Sequence, residues 1–290
     1  MKRVVIYLIL LFLVSCNSGN YSGNKKVITV SISPFSYFVK AISGSDYDIN
    51  VMVPASADPH IYEPVPGQLT SLGNSVAYIS DGYLGFELTW LEKFYEANRK
   101  MRKLSLGDKI DLIEAAENQR GSHTEGADPH YWVSPKSAMV IAGSVRTLLT
   151  ELNPEKRAEY DKRYEVLTDS ISALDSLATR LFSGFRGGTF MIFHPALGYL
   201  ARDYGLVQVA VENEGKEPTP SSMKTLIDQA GEKNLKIIFI QKGFDTKNAG
   251  AIALETGAEL VAVDPMSENW PGSVREIINE IHRSLVISSK

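Results

Sequence analysis

From residue 27 to residue 287 the chain alternates two hydrophobic rhythms. Short β-branched runs form the first: VITVSI (27–32), DINVMVP (48–54) and SVAYIS (75–80), then GTFMIF (188–193), LVQVAVE (206–212), LKIIFIQ (235–241) and AELVAVD (258–264). In the second, apolar residues return every three or four positions, as in FSYFVKAIS, PGQLTSLG, FELTWLEKFYEANR (86–99), SPKSAMVIAGSVRTLLTEL (134–152), PALGYLARDYG, SSMKTLIDQAGEKN, TKNAGAIALETG and SVREIINEIHRSLVI. A run of branched side chains suits a pleated surface, whereas the 3.6-residue return makes one buried helical face. Their alternation predicts an α/β chain with mainly parallel sheets, one lobe in each half. The polar stretch NEGKEPTP (213–220) is the obvious loop inside the second lobe.

One segment departs from this pattern. Tyr160, Tyr164, Leu167, Ile171, Leu174, Ala178 and Leu181 follow one another at intervals of four and three, a narrow apolar seam along a single helix. Asn153 suits its N-cap, Pro154 its first turn and Gly184 its end. At about 1.5 Å per residue a helix over 153–183 is roughly 45 Å long. With α/β patterns on both sides, it predicts a spanning element rather than a coiled coil. The expected organisation is an N-terminal lobe over 27–152, a linking helix over 153–183 and a C-terminal lobe over 184–290.

Residues 1–26 stand outside this pattern. Lys2 and Arg3 precede an apolar run from Val4 to Val14 that is too short for a typical membrane span. Leu13-Val14-Ser15-Cys16 resembles a bacterial lipobox, so residues 1–15 read as a signal peptide and Cys16 as the lipid-bearing first residue of the mature chain. A cleaved secretory signal with an unmodified Cys16 is the milder reading. Residues 16–26 then form a flexible, Gly/Ser/Asn-rich tether. Cys16 is the only cysteine, which excludes disulfides within the mature protein. A net charge of −4 gives no footing for nucleic acid.

The chemistry lies beyond the strands. A-D-P-H occurs twice, ending in His60 and in His130, in a chain with five histidines. His60 follows the second strand after a short loop, His194 follows TFMIF, and Asp264 ends AELVAV, while His130 sits on a turn before a helix. Ligands of open α/β sheets bind beyond the carboxyl ends of the strands, so facing lobes would bring these four groups together. Three neutral imidazoles and one carboxylate make a donor set for a divalent cation such as zinc. Read singly, His60 and His130 are better explained as surface loop residues, while His194 is equally well explained as a core histidine and Asp264 as a turn former. Asp58 and Asp128 read as turn formers, or as carboxylates holding the neighbouring histidines. His123 and His282 read as solvent-facing, and Tyr62, Trp132 and Trp270 as packing residues.

In order and context, DPHIYEPVPGQL, DPHYWVSP, FHPALGYLARDYGL, EPTPSSMKTLID and GAELVAVDPM resemble the metal-binding lipoproteins of bacterial zinc and manganese ABC importers, the solute-binding components. The resemblance runs from about Val27 to Ile287. It implies two Rossmann-like lobes joined by one long helix, with a metal ion between them held by His60, His130, His194 and Asp264. It further implies zinc as the cargo with manganese second, an ABC permease as partner, and a monomer attached outside the cytoplasm through lipid on Cys16. Two departures stand out. The stretch EAAENQRGSHTEGA carries only His123 where many zinc-specific relatives have a long histidine-rich acidic loop, and Gln241 stands where many relatives have glutamate. The rival classes are a secreted zinc metallohydrolase, with Glu63 as its base, and a surface adhesin.

Overall fold

The computed structural model describes residues 25–55, 57–114, 126–212, 218–242 and 247–290. The leader, Cys16, His123 and the start of the 213–220 loop lie outside these residues.

Two parallel sheets form the two lobes. The first contains β1 (Lys26–Ile32), β2 (Tyr47–Val53), β3 (Ser75–Ser80) and β4 (Arg102–Ser105), in the order β2-β1-β3-β4. The second contains β5 (Thr189–Ile192), β6 (Val207–Ala210), β7 (Ile237–Gln241) and β8 (Glu259–Val263), in the equivalent order β6-β5-β7-β8. All the pairings between these strands are parallel. β1 and β5 are central, paired on both edges, which is why VITVSI and TFMI are buried almost throughout, Thr29 and Ser31 included. β4 has no such signature and is not predicted from sequence. RKLS is a short polar edge strand, held by its pairing with β3.

Helices α1 (Ser33–Ser43), α2 (Pro66–Gly73), α3 (Gly85–Ala97) and α4 (Pro135–Leu152) belong to the first half, and α6 (Gly198–Tyr204), α7 (Pro220–Glu232), α8 (Lys247–Thr256) and α9 (Trp270–Ser288) to the second. Local chemistry sets several starts. Pro135 opens α4, and the Ser134 hydroxyl accepts the Lys136 N–H at 3.2 Å. Pro220 opens α7 in the same way, with Thr219 accepting from Ser222 at 3.2 Å.

The long helix, α5, covers Arg157–Phe182, three residues shorter at its start than the pattern predicts. Asn153 closes α4 by donating to the Leu149 carbonyl at 3.0 Å, and Pro154–Lys156 form a 3-10 turn before the α-helix begins. Of the predicted seam, Tyr160, Leu167, Ile171, Leu174 and Ala178 are buried; Tyr164 and Leu181 are only half-buried, and Phe182 rather than Leu181 completes the buried stripe. α5 packs on α1 and α4 of one lobe and on α6 and α9 of the other. Polar ties fix it at both ends, from Tyr160 to Asp46 at 3.0 Å and from Tyr204 of α6 to Asp175 at 2.7 Å. One hydrophobic core therefore runs from Ile28 and Phe35 through α5 to Phe190, Phe239 and Ile281, and a smaller cluster lies under α7 and α8.

Candidate metal centre

Both A-D-P-H segments fold into the same local device. After β2 the chain turns at Asp58, whose Oδ1 accepts the backbone N–H of His60 at 2.8 Å. The Asp128 Oδ1 accepts the N–H of His130 at the same distance. An aspartate that bonds the backbone two residues on is a side-chain mimic of a turn, and the proline between them fixes its approach. The repeated tetrapeptide thus presents a histidine at a defined angle. The His60 loop is further pinned by the Phe86 N–H on the Pro59 carbonyl at 3.2 Å, and by Gly85, where a Cβ would run into the His60 carbonyl oxygen. His130 begins a 3-10 turn, His130–Val133, whose indole Trp132 donates to the Pro265 carbonyl at 2.8 Å. Trp270 in turn donates to the Trp132 carbonyl at 2.7 Å, so this turn is bonded into the other lobe.

His194 lies two residues past β5, just where the chain leaves the sheet. Its Nε2 stands 3.1 Å from His130 Nε2 and 3.3 Å from His60 Nε2. One donor atom from each of the three rings falls within 4.8 Å of the other two. Nitrogens bound to zinc at about 2.0–2.1 Å with tetrahedral angles are about 3.3 Å apart, so the rings already have the spacing of ligands around one ion. His130 and His194 are each 5% exposed, and His60 is half-buried.

Carboxylates behind the rings set the tautomers. His130 Nδ1 lies 2.7 Å from Asp128 Oδ1, and His194 Nδ1 lies 3.1 Å from Glu212 Oε2. Each carboxylate accepts the Nδ1 proton, which leaves Nε2 as a lone pair directed at the cluster. Two such lone pairs 3.1 Å apart repel unless a cation or a proton lies between them. Burial lowers the pKa of His130, with Asp128 partly opposing it, so the neutral, coordinating form is favoured. Asp128 and Glu212 together offset two positive charges at one bond's remove.

Asp264 stands one residue past β8, as expected, but its carboxylate is not in the gathered set. It faces Lys242, with Nζ 3.9 Å from Oδ2. Sequence reasoning missed Glu212, although the strand-end rule reaches it, since it follows β6 by two residues. Trp132 and Trp270 are buried packing residues that also donate hydrogen bonds. His282 is not fully solvent-facing; it is half-buried, edge-on to Phe185 at 5.6 Å between ring centroids. Glu63 is exposed.

Two parallel-sheet lobes on a long helix, with three imidazoles converging between them, define a two-lobed α/β binding protein whose cleft has the geometry of a metal chelator. The family described as zinc-uptake complex component A, periplasmic (ZnuA), matches residues 28–284, and the chain belongs to that family. It is 26% identical over 256 residues to the high-affinity zinc uptake system protein ZnuA of Bacillus subtilis, covering 83% of this chain and 79% of that protein. It is 24% identical over 267 residues to the zinc-binding lipoprotein AdcA of Streptococcus pneumoniae serotype 4, covering 88% of this chain and 53% of AdcA, so it spans about half the length of that relative. A crystal structure of ZnuA superposes with a TM-score of 0.83 at 36% identity, covering 90% of this chain and 99% of that one. TroA, a periplasmic zinc-binding protein from Treponema pallidum, shares the fold with a TM-score of 0.80 at 21% identity.

Proposed function

We propose that this chain is the extracytoplasmic solute-binding component of an ABC metal importer, capturing one zinc ion between its lobes and passing it to a permease. The observation that carries the reading is the meeting of the His60, His130 and His194 nitrogens, 3.1 and 3.3 Å apart at Nε2, with His130 and His194 buried against Asp128 and Glu212. The relatives' names support it: ZnuA and AdcA are zinc-uptake and zinc-binding proteins, and one ZnuA structure of 36% identity is a deletion mutant with zinc bound. Three imidazole donors favour zinc over the harder manganese ion, which ranks second as cargo. Asp264 supplies the oxygen donor that closes the site once its carboxylate exchanges Lys242 for the ion. Capture and release are binding steps and need no covalent chemistry. Cys16 carries the lipid that holds the protein, as a monomer, to the outer side of the membrane; among the described residues no helix is long and apolar enough to cross it.

The test is metal analysis and zinc/manganese competition on purified protein. One equivalent of zinc is expected, retained against manganese and lost, by at least a hundredfold in affinity, in His194→Ala and His130→Ala. Wild-type protein that takes up no stoichiometric zinc would overturn the reading. Ester or peptide turnover by zinc-loaded protein would favour a hydrolase instead.

A further inference from the structure

The segment that follows His194 also holds the segment that carries His130. The His194 carbonyl accepts the Ala196 N–H at 2.7 Å, Gln208 of β6 accepts the Leu197 N–H at 2.8 Å, and Gly198 then opens α6. This short helix lies along residues 128–136. Its first two residues meet Asp128, the carboxylate behind His130, and the Tyr199 ring stands edge-on to Tyr131 at 6.1 Å between centroids. Near its far end, the Asp203 carboxylate accepts from the Ser134 hydroxyl, and the Asp203 carbonyl accepts from Lys136 Nζ at 2.9 Å.

The grip on Asp128 is specific. Glu114 and Ala127 form an antiparallel bridge, so Ile113 and Asp128 stand opposite one another. Opposite residues of a hydrogen-bonded antiparallel pair exchange two N–H···O bonds. Asp128 donates one of them to the Ile113 carbonyl at 2.9 Å. In place of the other, the Ile113 N–H donates to the Tyr199 hydroxyl at 3.1 Å, and that hydroxyl donates to the Asp128 carbonyl at 2.6 Å. A side chain of the second lobe thus sets the backbone position of Asp128. Gly198 sets its side chain. A Cβ at Gly198 would lie 2.8 Å from Asp128 Oδ2, nearer than real Cβ atoms come, so only glycine lets the carboxylate stay where it is. From that place Asp128 Oδ1 accepts the His130 N–H at 2.8 Å and faces His130 Nδ1 at 2.7 Å.

We propose that Gly198 and Tyr199 are positioning residues of the metal site, acting on His130 through Asp128, so that the His194 segment places two of the three imidazoles. The inference rests on the metal-binding reading and deepens it. His130 belongs to the first half of the chain and His194 to the second, yet their Nε2 atoms are 3.1 Å apart. Residues 194–199 fix that spacing, because they carry one ring themselves and hold the carboxylate that orients the other. Removing the Tyr199 hydroxyl frees the Ile113 N–H to bond the Asp128 carbonyl directly, which draws Asp128 toward Ile113 and turns His130 with it. Adding a methyl at Gly198 pushes the carboxylate aside and loosens its bond to Nδ1. Either change leaves the donor atoms present but misplaced, and a ligand held off its angle binds zinc more weakly.

The experiment compares Gly198→Ala and Tyr199→Phe with the wild type, and Gly198→Ala again in an Asp128→Ala background. It reads zinc affinity by chelator competition, the visible spectrum of the cobalt-loaded protein and the melting temperature of the metal-free protein. Each single variant should bind zinc about 10–100-fold more weakly, with shifted cobalt bands. In the Asp128→Ala background the added methyl meets no carboxylate, so Gly198→Ala should change affinity by less than about threefold. An equal loss in both backgrounds would overturn the action through Asp128. A lowered melting temperature with unchanged affinity and spectrum would show a merely structural role and overturn the proposal, as would no effect at all; in both cases the three-histidine site stands. Wild-type protein without zinc binding would overturn the underlying reading as well. Tyr199→Phe removes a single oxygen and keeps the test decisive if Gly198→Ala fails to fold.

Discussion

At His130 and His194 the ring nitrogen remote from the cluster faces a carboxylate, and that carboxylate decides which lone pair is available. Asp128→Asn and Glu212→Gln keep shape and acceptor oxygen but lose the charge that favours the Nδ1–H tautomer. Each should lower zinc affinity about 10–100-fold, read by competition with a chromophoric chelator, with little change in the melting temperature of the metal-free protein. A second residue-scale prediction concerns Asp81 and Glu87, both buried in the first lobe. Glu87 accepts from the Ser31 hydroxyl, from the Asp81 N–H at 2.9 Å and from the Gly82 N–H at 2.6 Å, the pattern of a carboxylate. Burial first, and then the Glu87 charge, push the pKa of Asp81 well above the usual carboxylate range. The folded state therefore holds a proton that the unfolded state releases. This stabilisation is complete below the ordinary Asp pKa of about 3.9 and is lost as pH rises above it. Asp81→Asn should remove the loss and stabilise the protein by about 1–3 kcal/mol at pH 8, with a smaller gain at pH 5, in urea denaturation. Parallel behaviour of the two proteins between those pH values would refute the protonated pair.

Among the elements, α5 bears most on how the site can move. Ile171 and Leu174 are buried at its middle, between packing on α1 and α4 and packing on α6 and α9. Ile171→Ala should cost about 2–5 kcal/mol in urea denaturation. Because one core joins both sheets, the loss should appear as a shift of a single transition rather than as unfolding of one lobe alone. A hinge needs a few loop residues free to change φ and ψ, and a helix packed on both lobes gives none. X-ray scattering of metal-free and zinc-loaded protein should show nearly the same radius of gyration; a large decrease on loading would disprove the rigid-helix account. Element ends show how far pattern alone carries. VITVSI and SVAYIS are legible as short β-branched runs buried almost throughout, and the α5 seam because its burial repeats at the helical period. RKLS is not, because its strand identity comes from its neighbour β3 and not from its own side chains. Asn153 and Pro154 were legible as a helix junction, but the 3-10 turn between α4 and α5 was not.

For the whole molecule, acid should empty the site. Coordination needs neutral imidazoles, so protons compete with the ion at His60, His130 and His194, and affinity should fall steeply below about pH 6, by up to about a thousandfold per pH unit if all three take up a proton. Equilibrium dialysis across pH 5–8 checks it, and unchanged binding at pH 5 would count against the histidine set. The metal-free protein should also lose stability in acid. The pKa of His130 is lowered by burial, so its contribution is present above the ordinary value of 6.5 and lost as pH falls through the folded value.

The sequence by itself determined the alternation of strands and helices, the long α5 seam, the family, and the candidacy of His60, His130, His194 and Asp264, because each depends on local periodicity or on short motifs within one segment. It also marked the two A-D-P-H turns, whose Asp-to-backbone bonds span only two residues. Only the tertiary structure decided which groups meet. His60 and His194 are 134 residues apart along the chain and 3.3 Å apart at Nε2, a distance set by how two sheets dock on α5. Strand pairing within the second sheet turned Asp264 to Lys242, brought Glu212 behind His194, and left Gln241 buried without a donor. Such pairings depend on the orientation of one lobe against the other and of strand ends across a sheet, and no local pattern encodes either.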